Sequence, residues 1–132
     1  MNPKYVLVAS RARHICEYCH APEAVFNLPF EVEHIIPLSQ RGDKSEKNLA
    51  LSCRSCNLYK SDLVSAFDET SKREIRFFNP RQDVWSEHFS ISENNGEIEA
   101  LTAIGRVTIF SLRVNSRAQV AARVQWLKLK LF

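Results

Sequence analysis

Hydrophobic and polar positions change their spacing along the chain, and the first half predicts a helix, a strand, a loop, a second strand and a second helix. Pro3 stands where a first helical turn accepts proline, and an apolar stripe of roughly helical spacing follows it. Phe, Val and Ile then alternate with Glu and His up to Pro37, which is typical of a strand and its end. The five elements are predicted at residues 4–16, 30–36, 40–47, 48–52 and 54–67.

The middle of the chain is predicted to hold a short helix and a hairpin. Asn79 followed by Pro80 is typical of a helix start, and this helix is expected to run to His88. Segments 89–93 and 97–100 flank an Asn-Asn-Gly sequence, which favours a β-hairpin.

The C-terminal third is predicted to be helical, and it is basic. Thr102 is expected to cap a helix that ends near Val114, and Ser116 a helix that follows. The last seven residues alternate like a strand but also continue a helix, so both interpretations stay open. From residue 100 onward there are six Lys or Arg and no acid, which is compatible with a surface that faces a polyanion.

Length and composition indicate one soluble domain, or a small domain with an extension. The chain has 132 residues, 45% of them apolar and 25% charged, and a net charge of +3. It has no apolar run long enough for a membrane span, and its arginine-containing start does not fit a secretion signal. We therefore expect a cytoplasmic protein with no membrane partner and no small-molecule cofactor. In that reducing compartment four cysteines are more typical of metal ligands than of disulfides.

Two Cys-x2-Cys pairs, Cys16 with Cys19 and Cys53 with Cys56, are separated by 33 residues. Two cysteines three apart can place both sulfurs on one tetrahedral ion, and two such pairs complete its coordination. A four-thiolate site has no open position, so the predicted Zn2+ is structural, and a chelator should destabilise the domain. The alternatives are two disulfides, a redox-active pair and, because His20 follows Cys19, c-type haem attachment.

The insert between the pairs carries side chains suited to the hydrolysis of a phosphodiester. Glu33 and His34 are adjacent, Asn48 follows, and Asn57 comes directly after Cys56. Such a reaction requires an activated water, a cation for the charge that develops on the phosphoryl group and the leaving oxygen, and alignment of both. Histidine can be the base near neutral pH, and the oxygens of Glu and Asn suit a hard cation such as Mg2+.

The segment VEHIIPLSQRGDKSEKNLALSCRSCNLYK resembles the HNH (ββα-metal, or His-Me finger) endonucleases, in the subgroup whose motif lies between two zinc-binding Cys-x2-Cys knuckles. In that family the acid before the histidine binds the catalytic metal and the histidine deprotonates the attacking water. The middle asparagine holds the loop that orients the histidine, and the last motif residue binds the metal. The resemblance implies these roles for Glu33, His34, Asn48 and Asn57 in that order.

Two motif positions depart from the commoner residues, since Glu33 replaces Asp or His and Asn57 replaces His. Both remain capable ligands, and their oxygens shift the preferred catalytic ion toward Mg2+ or Mn2+. Adjacent strand residues point to opposite faces, so Glu33 and His34 can share a site only at a strand end or a bulge. The basic residues of the motif that we expect to contact nucleic acid are Lys60, Arg41 and Arg54.

The part of the chain that contains FFNPRQDVWSEHF and LTAIGRVTIFSLRVN resembles the extension of many stand-alone bacterial HNH proteins. It shares their Asn-Pro-Arg, Trp-x2-His-Phe and Gly-Arg signatures. Arg81, His88 and Arg106 are candidates for contacts with DNA or a metal, although local packing is the more frequent role of such residues.

We therefore expect an α+β protein in two parts. Residues 1–65 would form a ββα-metal core framed by the four-cysteine zinc site, and residues 66–132 a mostly helical extension with a β-hairpin. The expected function is hydrolysis of DNA with Mg2+ or Mn2+, with the 5′-phosphate and 3′-hydroxyl products that the resemblance implies. RNA stays open as a substrate. The main alternative is a zinc-ribbon module that binds nucleic acid without catalysis, for which the cysteines and basic residues suffice.

Overall fold

The computed structural model describes residues 1–131, and in this range it has five α-helices and six short β-strands. In chain order the elements are α1 (Tyr5–Arg11), β1 (Glu31–His34), β2 (Leu49–Ser52), α2 (Arg54–Lys60), β3 (Ser65–Asp68), β4 (Arg73–Arg76), α3 (Trp85–His88), β5 (Phe89–Ile91), β6 (Ile98–Ala100), α4 (Ala103–Leu112) and α5 (Arg117–Lys128). The strands form three antiparallel pairs, β1–β2, β3–β4 and β5–β6.

The unit β1–β2–α2 is the frame of the molecule. All four residues of β2 are buried, because the strand lies between β1 and the helices. In the register of the pair, Glu33 lies opposite Ala50 and His34 lies opposite Leu49. A mixed α and β architecture with small sheets and a four-cysteine cluster is what the sequence predicts, and the fold class is confirmed.

The second half of the chain packs onto this frame through α4. This helix lies against α2, β3, β4 and β6. Thr108 fixes its position, because its hydroxyl donates to the Ile104 carbonyl (2.7 Å) and accepts from the Phe78 backbone N–H (2.9 Å). The buried apolar residues around it are Phe77, Phe78, Phe89, Ile98, Val107 and Leu112. The division of the chain at residue 65 stays a prediction.

The predicted helix over residues 54–67 is wrong beyond Lys60. Ser61 has a left-handed φ of 49°, which ends α2. Residues 65–68 then form β3, which pairs with β4 in a hairpin. The hydrophobic pattern does not predict this hairpin because its strands are four residues long and only one of their residues, the polar Asp68, is buried, so little apolar alternation marks them.

The helix predicted from Asn79-Pro80 is also wrong at its start, since α3 begins only at Trp85. Asn79 stabilises a turn instead. Its side chain accepts from the Arg81 backbone N–H (2.9 Å), and its own backbone N–H donates to the Asp83 carboxylate (2.8 Å). Side-chain hydrogen bonds of this kind stabilise turns as readily as helix starts.

The other predictions for the C-terminal half are confirmed. The Asn-Asn-Gly sequence joins β5 to β6. Thr102 and Ser116 cap α4 and α5, and each hydroxyl accepts from a backbone N–H of the following turn (3.1 and 3.4 Å). The undecided last segment is helical as far as Lys128, and Phe132 lies outside the described residues. Within residues 1–131 no helix is long and apolar enough to cross a membrane.

Candidate metal and catalytic site

The four cysteines lie together in the interior. Their sulfur atoms are all within 4.8 Å of one another, and Cys19 Sγ is 3.7 Å from Cys53 Sγ. All four are buried and none forms a disulfide. A tetrahedral ion with Zn–S bonds of about 2.3 Å separates its sulfurs by roughly 3.8 Å. The donor set and its spacing therefore fit one zinc ion, and the four cysteines are positioned to hold a metal.

Local hydrogen bonds place the two cysteine pairs side by side. Cys53 precedes α2, and its sulfur accepts from the Cys56 backbone N–H (3.4 Å) at the start of that helix. In the first pair, the Glu17 backbone N–H donates to the Leu51 carbonyl and the Glu17 carboxylate accepts from the Leu51 N–H, each at 2.9 Å. The first knuckle is thus fastened to β2, the strand that leads into the second knuckle.

The histidines near the first knuckle are engaged elsewhere. His20 stacks on Trp85 with ring centroids 3.8 Å apart, and burial lowers the pKa of His20 to about 4. His14 Nδ1 lies 2.7 Å from the Glu23 carboxylate. Within residues 1–131 the metal-holding group consists of the four cysteines without a histidine.

Glu33 is buried, 7% exposed, in a pocket of polar groups. One carboxylate oxygen accepts from the Tyr18 hydroxyl, and the other accepts from the Lys60 ammonium at 3.1 Å. Burial raises the pKa of Glu33, while the Lys60 charge and the Tyr18 hydroxyl act in the opposite direction. Burial and then the Glu33 charge hold the pKa of Tyr18 well above its usual range. Tyr18 therefore keeps its proton, and its hydroxyl donates a hydrogen bond to the carboxylate.

His34 ends β1 and is half-buried. Its side chain makes no hydrogen bond to another described residue, whereas its carbonyl lies 3.4 Å from the Lys60 ammonium. A strand end is where a histidine can leave the alternation of the strand and lie beside its neighbour's site. Both ring nitrogens of His34 are therefore uncommitted within the described part of the chain.

Asn48 joins the two ends of the loop that follows β1. Its amide oxygen accepts from the Ile36 backbone N–H (2.9 Å), and its amide nitrogen donates to the Ile36 and Asp43 carbonyls (both 2.8 Å). Gly42 lies so close that an added Cβ would be 1.8 Å from the Ile36 carbonyl oxygen, so this position requires glycine. Asn48 thereby fixes the chain two residues beyond His34.

Asn57 and Lys60 lie one turn apart on α2, so their side chains share a face of the helix. Lys60 is 1% exposed and its ammonium also donates to the Ile35 carbonyl at 2.8 Å. Asn57 is half-buried, and its side-chain amide makes no hydrogen bond to another described residue. The structure thus places the Lys60 charge on Glu33 inside the protein and leaves the Asn57 amide available. Contact of Lys60 with a phosphate stays a prediction.

The remaining basic residues of the motif lie on the surface. Arg54 is exposed at the start of α2. Arg41 is exposed and lines a cleft of about 560 Å³. The cleft lies between the loop over residues 36–48, here called the motif loop, and the turn that carries Asn79. The other basic side chains that line the cleft are Arg11, Lys47 and Arg81.

The candidates in the extension are used for internal contacts. Arg81 pairs with Glu17, beside the first knuckle, and Arg106 pairs with Asp68 at 3.0 Å. His88 Nδ1 lies 2.6 Å from the Thr102 hydroxyl.

Tyr18 is a site residue that the sequence pattern does not single out. It lies inside the first knuckle and contacts Glu33, and its carbonyl accepts from the Trp85 indole N–H at 2.9 Å. The signal that the sequence offers for it is an aromatic residue between two predicted metal ligands. Trp85, from the extension, therefore also bears on the position of Glu33.

Comparison with known proteins gives one result. Residues 16–63 match the family model described as HNH endonuclease, which confirms the resemblance and covers all four cysteines and the motif between them. Neither the curated proteins nor the solved structures contain a match.

Proposed function

We propose that this chain, which carries a domain of the HNH endonuclease family over residues 16–63, is a zinc-stabilised endonuclease that hydrolyses DNA with a divalent ion. One observation carries the proposal: a strand–strand–helix unit holds Glu33, His34 and Asn48 between two cysteine pairs that meet in one buried cluster, and Asn57 directly after the second pair. A module that only binds nucleic acid needs the cysteines and the basic surface, and has no use for these four residues in this arrangement.

The cysteine cluster would hold a structural Zn2+. Four buried thiolates saturate the ion, so water and substrate have no access to it. The role of the zinc is to fix α2 relative to the first knuckle, and with α2 the position of Asn57.

A second ion, Mg2+ or Mn2+, would be held by Glu33 and Asn57. One carboxylate oxygen and one amide oxygen are the donors that such hard cations prefer. Glu33 keeps lone pairs beyond the two that accept from Tyr18 and Lys60, and the Asn57 amide has no other described partner. When bound, such an ion stabilises the negative charge that develops on the phosphoryl group and the leaving oxygen.

His34 would act as the general base. A free ring nitrogen of His34 would take the proton of the attacking water, which is the role that histidine most often has in general base catalysis. Asn48 supports this role because it holds the backbone at Ile36, and Tyr18 and Lys60 support it because they hold the neighbouring Glu33 carboxylate. Asn48 would thus orient the base, and Tyr18 and Lys60 the ligand.

A plasmid-nicking assay tests the proposal. The wild-type protein is expected to convert supercoiled plasmid to nicked or linear forms with Mg2+ or Mn2+ and to be inactive in a chelator. His34→Ala should lower the rate by about 10²–10⁴-fold, the usual contribution of a general base, while DNA binding and the melting temperature stay near those of the wild type. Matched DNA and RNA duplexes show which nucleic acid is cleaved.

His14→Gln is the matched control for this assay, because His14 is an exposed histidine outside the motif that pairs with Glu23. It should nick at the wild-type rate. Equal rates for the wild type and His34→Ala would show that the mechanism is wrong. DNA binding without any nicking would favour the zinc-ribbon alternative.

Nucleic acid would contact the basic cleft beside the motif loop. In this cleft Arg11 donates to the Glu46 and Leu49 carbonyls and Arg81 pairs with Glu17, so their charges are partly used inside the protein. Arg41 and Lys47 are exposed. These two residues are available to bind phosphate oxygens. Ile36, two residues after His34, also lines the cleft.

The double variant Arg41→Gln, Lys47→Gln tests this contact. We expect weaker binding to DNA of any sequence, and a plot of log affinity against log salt whose slope falls by about 2, one for each lost phosphate contact. The control is Lys128→Gln, Lys130→Gln, on two lysines that line a separate cleft beside α5. A salt slope that falls equally in both double variants would refute a specific role of the cleft.

A further inference from the structure

Arg123, on α5, is a buried cation without a carboxylate partner. It is 0% exposed, and no ion pair among residues 1–131 includes it. A buried charge is costly unless an opposite charge or a set of hydrogen bonds compensates it. The question is which group compensates Arg123.

Neutral acceptors take up only one end of the guanidinium. Nη1 donates to the Gly96 carbonyl at 2.9 Å and lies 3.4 Å from the Asn115 amide oxygen, and Nη2 donates to the Val114 carbonyl at 2.8 Å. Nε is the one buried side-chain nitrogen or oxygen in the described part of the chain that has no hydrogen-bond partner. These contacts leave the Nε nitrogen without an acceptor and the positive charge without an opposite charge.

The cysteine cluster is near this guanidinium, because the side chains of Cys19, Cys56 and Cys53 all interact with it. Burial lowers the pKa of Arg123, and Cys19, Cys56 and Cys53 act in the opposite direction. Zinc on four thiolates carries two net negative charges, and thiolate sulfurs accept N–H donors. The positive charge of Arg123 would therefore balance the negative charge of a zinc tetrathiolate, and its free Nε–H could donate to a thiolate sulfur.

We propose that Arg123 is the counter-cation of the zinc tetrathiolate and that its Nε–H donates to the Cys19 sulfur. This inference rests on the proposed zinc ion. It gives the C-terminal extension a definite role: α5 completes the environment of a metal whose four ligands all lie in the first 56 residues. Arg123 is a positioning residue, since it acts on the ion only through a ligand.

The same guanidinium also ties α5 to the rest of the extension. Its acceptors lie in the turn between β5 and β6 (Gly96) and in the link between α4 and α5 (Val114, Asn115). Gly96 has a φ of +77°, and an added Cβ would lie 2.7 Å from a Val124 methyl group, so this turn and α5 are in close contact. Zinc binding therefore stabilises the packing of three segments that supply no ligand.

The test is zinc affinity, measured by competition with a chromophoric chelator, together with the absorption of the Co2+-substituted protein. Arg123→Met keeps the length and apolar stem and removes the charge. We expect zinc affinity to fall by about 10–100-fold, as for other groups that contact metal ligands, and the thiolate-to-cobalt charge-transfer band to shift. Arg117→Met, on an exposed arginine of the same helix, should change neither quantity.

Arg123→Lys keeps the charge but has no Nε–H donor, and it decides the matter if Arg123→Met does not fold. It should bind zinc more weakly than the wild type and more tightly than Arg123→Met, again with a shifted band. Wild-type affinity and an unchanged band in the folded variants would overturn the inference. Metal analysis of the wild type separates this outcome from failure of the zinc proposal, because a protein purified without about one zinc per chain would contradict that proposal first.

Discussion

Removal of zinc by a strong chelator is expected to abolish the cooperative thermal unfolding of the protein. Structural zinc sites in small domains contribute about 10–16 kcal/mol, which equals or exceeds the whole stability of a typical domain of about 5–15 kcal/mol. Here the ion would join the turn at Cys16–Cys19 to the start of α2, and both are central to the buried core. Without it, four buried thiols and the Arg123 charge lose their partner.

Circular dichroism melting in the presence and absence of the chelator measures this effect. Zinc added back in excess should restore the transition, whereas Mg2+ should not, because thiolates prefer the softer ion. Cys53→Ser is expected to behave like the chelated protein, and Ser55→Ala, two residues away on α2, like the wild type. An undiminished transition after verified metal loss would show that hydrogen bonding and packing alone hold the knuckles together.

Most signals confined to a few neighbouring residues predict the structure correctly, with the exception of Asn79-Pro80, which forms a turn and not a helix start. The caps at Thr102 and Ser116, the Asn-Asn-Gly hairpin and the Cys-x2-Cys pairs each depend on side chains that act within three or four residues. The predicted helix over 54–67 fails for the opposite reason. The strand β3 pairs with β4 and packs against α4, both farther along the chain, and periodicity in one segment does not report such partners.

Burial of charged residues is the part of the site that the sequence does not reveal. A lysine on a polar helix is expected to be exposed, and an arginine in a basic C-terminal segment to face solvent. Lys60 and Arg123 are instead among the most buried side chains. Glu33, far away in sequence, pairs with Lys60, and the cysteine cluster would be the corresponding partner of Arg123. Only the tertiary structure brings each cation to its anion.

Tyr18 connects the two sites that the sequence treats as separate. Its backbone lies between Cys16 and Cys19, and its hydroxyl contacts Glu33. Any shift of the first knuckle therefore moves a group that holds the proposed ligand of the catalytic ion. The proposed structural zinc would therefore also help to position the proposed catalytic site, without contacting the substrate itself.

Replacement of Lys60 by Met is expected to destabilise the protein by about 3–5 kcal/mol, because it leaves the Glu33 carboxylate buried without its cation. The Ile35 carbonyl loses a donor as well. Lys72→Met is the matched control: Lys72 pairs with Glu69 at a similar 3.2 Å, but both side chains are more than two-thirds exposed. Surface pairs contribute about 0–1 kcal/mol, so this control should unfold nearly as the wild type does.

The stability of Lys60→Met in the presence of divalent ions tests whether Glu33 can bind the proposed catalytic ion. If Glu33 can bind Mg2+ or Mn2+, the ion can replace the missing ammonium in Lys60→Met. An ion that binds only the folded state raises the free energy of unfolding by RT ln(1 + [ion]/Kd). The expected result is a melting temperature that rises with Mn2+ in Lys60→Met and stays flat in the double variant Glu33→Gln, Lys60→Met, which has no carboxylate to bind the ion. A flat response in both would mean that Glu33 is a structural partner of Lys60 and Tyr18, and would remove it from the catalytic ligands without reference to any cleavage assay.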